Sequence, residues 1–211
     1  MNLQILYEDD DVIVVNKPSG VLTTGLDFGV GYVHRLDKDT SGVLVFAKNE
    51  KAYDFLRKAF HDREVKKTYF AFVHGVPKDK KGIIDFDIGR SRKDFRLRSA
   101  QPKAKGRLRD AVTRYEVLGE TGDGNKKYAL LRVEPETGRT HQIRVHLKAI
   151  HHPVIGDPLY APKLSHALGI NRLGLHASKI DLPLPSGSRV TIVAPIPDDL
   201  ATAFAQFTQS C

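Results

Sequence analysis

An α+β fold built on a mostly antiparallel sheet is predicted by three features of this 211-residue chain. Short runs rich in β-branched and aromatic residues outnumber helical patterns. The runs follow one another without the strand–helix alternation of a parallel sheet. Two long alternating runs are joined by Thr121-Gly122-Asp123-Gly124-Asn125, which is hairpin chemistry. The length suits one large domain or two intimately joined lobes, and a single domain over residues 1–211 is the expectation.

In chain order, residues 3–7 and 12–16 read as strands around the acidic turn Glu8-Asp9-Asp10-Asp11, and Pro18-Ser19-Gly20 ends the second. Residues 43–48 form the next strand. Ala52, Phe55, Leu56, Ala59 and Phe60 fall on one face of a helix over about 50–63, packed on the sheet. Residues 66–76 alternate, with Tyr69, Ala71 and Val73 on one side and Phe70 and Phe72 on the other, as in a strand buried on both faces. Further strands are expected near 83–88, 94–99, 111–118 and 127–134. Thr140 is placed to cap a helix on which Ile143, Leu147 and Ile150 share a face. Strands over 173–182 and 189–193 follow, and Leu200, Ala203, Phe204 and Phe207 mark a closing helix.

The charge of +8 and a pI near 9.5 favour a polyanionic partner or an acidic membrane surface. Between Gly89 and Asp110 nine Lys and Arg residues face only Asp94 and Asp110, so nearly the whole excess lies in this segment. Arginine dominates there, and its planar fork suits phosphate. Pro102 and Gly106 interrupt the segment, so a solvated loop is the competing reading. Cys211, the only cysteine, excludes an intramolecular disulfide and a cysteine metal cluster and points to a reducing compartment. No apolar run approaches the ~18 residues needed to span a bilayer. Met1-Asn2-Leu3-Gln4 has no signal-peptide character, so a cytoplasmic location without membrane attachment is expected.

The stretch most suggestive of chemistry is His34-Arg35-Leu36-Asp37-Lys38-Asp39-Thr40-Ser41-Gly42, a polar loop between two apolar strands. It resembles the motif around the catalytic aspartate of the RluA-type pseudouridine synthases. Lys17-Pro18-Ser19-Gly20, Lys67-Thr68-Tyr69, the Gly138–His146 run GRTHQIRVH, the His152–Asp157 run HPVIGD and Leu175-His176-Ala177 are similar to further motifs of that family, in its order, and together span most of the chain. The resemblance implies the pseudouridine synthase fold, a long bent mixed sheet with flanking helices and a central RNA-binding cleft. It also implies an isomerase that needs neither metal nor organic cofactor.

Carried over residue by residue, the resemblance makes Asp37 the catalytic carboxylate. The residues alone equally allow an Asx turn there. A carboxylate can attack the sugar, attack the base at C6, or remove a sugar proton, and sequence does not choose among these. A desolvated carboxylate needs a nearby cation, and by resemblance Arg144 pairs with it; a structural or phosphate-binding arginine is the alternative. Residue type alone favours core packing for Tyr69, whereas by resemblance it is the tyrosine that stacks on the target base. Leu175 resembles an apolar wall of the uracil pocket. Arg35 resembles the residue that fills the stack vacated by an extruded nucleotide, with a plain phosphate contact as its alternative. His34 either contacts substrate or orders the loop. Arg90, Arg92, Lys93 and Arg96 are the basic residues expected to hold RNA.

Competing chemistries find less support. His141 and His146 are five apart and do not share a helix face, unlike a zinc-binding pair four apart. Ser178 and His176 have no nucleophile elbow around them, and neither a phosphate loop nor a dinucleotide fingerprint is present. Two features depart from the family. Only Val21–Val33 separate the KPSG turn from HRLD, shorter than in relatives generally, and no S4-type domain precedes the turn. The expectation is a stand-alone, monomeric synthase acting on structured ribosomal RNA or tRNA rather than DNA. The alternatives are a non-catalytic RNA-binding protein that keeps the fold and, more distantly, a glycosidase-like hydrolase.

Overall fold

The computed structural model describes residues 3–92, 94, 97–102, 104–123, 126–164 and 166–208. Lys93 and Arg96 of the basic segment, part of the 121–125 turn, and Cys211 lie outside them. Thirteen strands and three α-helices are present among the described residues, and ten of the strands hydrogen-bond into one mostly antiparallel sheet, the class expected. The chain divides into two compact units, residues 1–68 with 176–196 and residues 69–175 with 197–211.

The first unit is built on β1 (Gln4–Glu8), β2 (Val12–Lys17), β3 (Gly31–Tyr32), β4 (Ser41–Ala47), helix α1 (Glu50–His61), the opening residues of β5 (Lys66–His74), β12 (Leu175–Pro183) and β13 (Arg189–Val193). The order is β1-β2-β4-β12, with β3 on β4 and β13 on β12. All contacts are antiparallel except β4 with β12, which run parallel through His176 opposite Ser41 and Ala177 opposite Gly42. Val12 to Val15 are all buried, and so is every residue of β4, because both strands are covered on both faces. The acidic turn is an Asx turn: Asp9 Oδ1 accepts the N–H groups of Asp11 and Val12 at 2.9 and 2.7 Å.

Asn49 caps α1 by accepting the Ala52 N–H at 2.9 Å. Ala52, Leu56 and Ala59 then pack against Val12, Val14, Val43, Val45 and Ile180. Phe55, expected on this face, is 37% exposed. The helix ends at His61, two residues before the expected limit, because Arg63 turns into the left-handed region at φ 62°.

The KPSG turn is what holds the 34–42 loop. Lys17 is fully buried, and its ammonium donates to the carbonyls of Pro18, Val21 and Lys38 at 2.9, 2.8 and 3.0 Å. The Gly20 N–H also donates to Lys38 O, the Ser19 hydroxyl to Asp39 O at 2.8 Å, and the Thr23 hydroxyl to Leu36 O at 3.0 Å. Gly42 closes the loop at φ 114°, where a Cβ would stand 2.1 Å from Ala177 O, so only glycine fits.

The second unit continues β5 into the order β5-β11-β10-β6, all antiparallel, with β6 (Lys81–Asp85), β10 (Val112–Asp123) and β11 (Lys126–Pro135). Helix α3 (Asp198–Thr208) brings Phe204 and Phe207 against Phe70 and Phe72, the face of β5 that the alternation assigned to them. The strand expected at 83–88 is instead two, β6 and β7 (Ile88–Ser91), which belong to different sheets. Of the strand expected at 94–99, residues 98 and 99 fall in β8 (Arg98–Ala100) and residues 95 and 96 lie outside the described residues, and β9 (Ala104–Arg109) was not anticipated. These three form a separate sheet in the order β8-β7-β9, formed by a basic segment whose charges mask its alternation.

Helix α2 (Gln142–Ala149) begins at His141, whose backbone is left-handed at φ 57°, rather than at a Thr140 cap. Its first turn is seated by polar groups. Gln142 accepts from the Thr137 hydroxyl and the Arg139 N–H and donates to Val112 O and the Thr113 hydroxyl. His146 Nε2 donates to Phe86 O at 3.0 Å, so Nδ1 is the acceptor for the Thr113 hydroxyl at 2.9 Å. Every polar atom in this chain of contacts has a partner of the correct sense.

Replacing Lys17 by Met should cost about 2–3 kcal/mol, because buried carbonyls lose a charged donor; urea denaturation measures it. Two histidines make stability depend on pH. Burial, with a smaller effect of Lys67, pushes His34 down to about 3, and burial lowers His146 despite its bond to Phe86. A histidine depressed in the folded state contributes its full stability above its unfolded value of about 6.5 and loses it as the pH falls. Stability should therefore fall as the pH drops below 6.5, for His34 down to about pH 3, by up to about 1.4 kcal/mol per pH unit for each histidine while it is neutral in the folded state. His146→Asn should flatten that slope; an unchanged slope in urea denaturation would refute the assignment.

Candidate active site

In the first unit, His34, Arg35 and Asp37 share the loop that the KPSG turn braces. The contacts on the carbonyls of Leu36, Lys38 and Asp39 fix the backbone on both sides of Asp37, and Asp37 O accepts the Thr40 N–H at 3.1 Å to close the turn. Asp37 is half-buried and Arg35 exposed. His34 lies stacked on Phe60 with ring centroids 4.8 Å apart, and its Nε2 accepts the Val45 N–H at 3.2 Å. An acceptor Nε2 requires the neutral ring, in keeping with its low pKa. His34 thus has a loop-ordering role in its own unit.

Just after the loop, the Ser41 hydroxyl and His176 Nδ1 stand 2.9 Å apart with both side chains buried. This pair locks β4 to β12 directly behind the loop. Lys67, near His34 on the opening turn of β5, is pushed down to about 8 by burial.

The second unit carries Tyr69, Arg144, Leu175, Arg90 and Arg92. Tyr69 is buried on β5 opposite Val133, and Leu175 is buried at the start of β12. Arg144 projects from the first turn of α2 and is buried against a partner that no sequence argument named. Asp157 receives its Nε and Nη2 in a two-pronged pair, both bonds 2.8 Å. The two side chains are 4% and 0% exposed. Asp157 Oδ1 also accepts the N–H groups of Leu159 and Tyr160 at 2.9 and 3.0 Å. The guanidinium lies over the Tyr160 ring at 5.2 Å, and the Tyr160 hydroxyl accepts the Arg98 N–H and meets His141 Nδ1 at 2.9 Å. The signal for Asp157 was present in the Ile155-Gly156-Asp157-Pro158 turn, but its partner lies 13 residues away, beyond any local pattern.

The described part of the basic segment pairs into strands. Arg90 of β7 lies directly opposite Arg98 of β8 on one side and Lys105 of β9 on the other. Cross-strand partners share a face, so three cations form a row, an arrangement that is destabilising without an anion. Two residues back along β7, Ile88 and its partner Ala100 are buried with Val145 and Tyr160, which roots the row beside α2. Arg92 is exposed beyond the end of β7, while Lys93 and Arg96 lie outside the described residues.

Comparison with known proteins converges on one family. The profile described as RNA pseudouridylate synthase matches residues 11–149. An uncharacterized RNA pseudouridine synthase of Mycobacterium bovis is 40% identical over 95% of this chain and 71% of its own length. That alignment spans 228 positions, more than the 211 residues here, so the relative contains residues with no counterpart in this chain. Ribosomal large subunit pseudouridine synthase D of Borreliella burgdorferi is 33% identical over 99% of this chain and 69% of its own. Among solved structures, human RNA pseudouridylate synthase domain containing 1 superposes with a TM-score of 0.80 at 29% identity, covering 93% of this chain and 84% of that one. The matched profile begins before the braced loop and ends with the last residue of the arginine-bearing helix, and the chain belongs to the RNA pseudouridylate synthase family.

Proposed function

We propose that this synthase isomerises uridines in structured RNA, with ribosomal RNA its first candidate substrate and tRNA its second, and that Asp37 is the catalytic carboxylate. The observation that carries the reading is the bracing of the Asp37 loop by Lys17, Ser19 and Thr23, within the region matched by the family profile. Rigid placement is what a group that must meet one sugar or base atom requires. The relative from Borreliella burgdorferi is named for the large ribosomal subunit, which supports ribosomal RNA as the first trial.

In the net reaction the N1–C1′ bond breaks, a C5–C1′ bond forms, N1 gains a proton and the C5 hydrogen leaves as a proton. In the proposed assignment Arg144 is the cation that offsets a desolvated carboxylate, Tyr69 stacks on the base and Leu175 walls the uracil pocket. Arg35 fills the vacated stack. The row Arg98–Arg90–Lys105 tracks the phosphate backbone, where an anion relieves the mutual repulsion of its cations. The single cysteine, at the chain's end, accords with action in the cytoplasm.

RNA labelled with tritium at uridine C5 should release label with the wild-type protein and none with Asp37→Asn, while the variant keeps RNA affinity within about threefold. Absence of release from ribosomal RNA and tRNA alike, despite tight binding, would favour an RNA-binding protein without turnover. Neutralising Arg90, Arg98 or Lys105 should each lower the slope of log affinity against log salt by about 1, measured by filter binding. An unchanged slope in all three would remove the row from the RNA interface.

A further inference from the structure

We propose that strand β6 is an interface for a second copy of this chain, pairing antiparallel with the partner's β6 about a two-fold axis at Ile83 to form a reversible dimer. The inference concerns the second unit alone and does not depend on the reading of the chain as a uridine isomerase.

Strand β6 is the last in the order β5-β11-β10-β6, and no strand among the described residues pairs with its outer edge. It runs beside β10 without a bulge, from Asp85 opposite Val112 to Lys81 opposite Glu116. One step further, the Val117 N–H donates to Lys80 O at 2.7 Å. Hydrogen-bonded and non-bonded pairs alternate along an antiparallel ladder. Gly82 and Ile84 therefore turn their N–H and C=O groups to β10, and Lys81, Ile83 and Asp85 turn theirs outward. These three residues are exposed, Ile83 by 57%. A straight edge with regularly spaced outward donors and acceptors is a template for another strand.

Which strand it takes is set by the side chains. Lys81-Gly82-Ile83-Ile84-Asp85 carries opposite charges at equal distances from Ile83. In an antiparallel pair centred there, Lys81 faces the partner's Asp85, Asp85 faces the partner's Lys81, and the two Ile83 side chains meet at the axis. The backbone matches in the same register, because every outward residue then stands opposite another outward residue. A shift by one would set outward groups against inward ones, and a shift by two would separate the charges. The surroundings fit protein rather than RNA. On the same face Lys81 and Arg132 pair with Glu116, and Arg114 with Glu136. A chain of net charge +8 is thus near neutral here, and this edge neither repels its own copy nor draws phosphate. One strand pair is a small interface, so the dimer should dissociate on dilution. Such an edge leaves no apolar pattern in the sequence, since its donors and acceptors are main chain.

The test uses the full chain, freed of RNA by nuclease, in sedimentation equilibrium, where the wild type should show a reversible monomer–dimer equilibrium. Lys81→Asp and Asp85→Lys each set like charges opposite one another twice across the axis, and each should weaken the dimer about tenfold or more. Mixed in equal amounts, the two variants should associate with an affinity within about threefold of wild type, because each supplies the charge the other lacks. Both substitutions are at exposed positions, and circular dichroism checks their folding. Amide exchange of the wild type gives an arm independent of the variants. The N–H groups of Lys81, Ile83 and Asp85 should exchange more slowly as concentration rises, while those of Gly82 and Ile84 are slow throughout. A monomer at up to about 1 mM, a dimer indifferent to both substitutions, or variants that stay apart when mixed would overturn the proposal. So would exchange without that alternation, or association that nuclease abolishes, which would make the edge an RNA contact.

Discussion

The ammonium of Lys17 is the contact on which the 34–42 loop depends. A buried lysine is costly unless its three donors are met, and here backbone carbonyls meet them at the turn that follows β2 and at Lys38. A charged group satisfied by main chain from two separate segments ties those segments together more firmly than a side-chain pair would, because neither acceptor can change rotamer. Gly20, Ser19 and Thr23 extend the same tie to Leu36 and Asp39. Asp37 thus projects from backbone held on both sides, as the role proposed for it requires.

A comparable economy governs the second unit. The polar seat beneath α2 spends Thr113, Gln142 and His146 on keeping one short helix in register, although apolar packing would have been simpler. What the polar seat adds is direction, since each hydrogen bond fixes rotation about the helix axis as well as position. Arg144, in the first turn of the helix, inherits that precision, and Asp157 completes it. The same network explains why the four histidines from 141 to 152 do not gather into a ligand set. His146 spends both nitrogens on Thr113 and Phe86, His141 turns to Tyr160, and His152 to the carbonyl of His74.

Periodicity and turn chemistry were enough to place most strands, α1 and α3, because those elements bury regular apolar faces that a local pattern records. Where the reading failed, the cause was tertiary. Phe55 fits the helical spacing but faces out, since Ala52, Leu56 and Ala59 already fill the contact with β2 and β4. Thr140 has the chemistry of a cap but is displaced by the left-handed His141, a choice made by the bonds to Tyr160 and Val112. The β7–β9 sheet was hidden because its outward residues are cations, which lowers strand propensity without preventing pairing. For the site, the 34–42 loop could be picked out from composition and flanking strands, and the family resemblance singled out Asp37, Tyr69 and Arg144. The partners that hold these residues, Lys17, Thr23 and Asp157, could not be read, because each acts on a residue 13 or more positions away.

The account stands most directly on the fate of the uracil base. Nucleoside analysis of ribosomal RNA incubated with the purified protein should show pseudouridine gained in equal amount to uridine lost, no free uracil, and neither change when Asp37 is replaced by Asn. Free uracil without pseudouridine, or pseudouridine formed undiminished by the Asn variant, would contradict it.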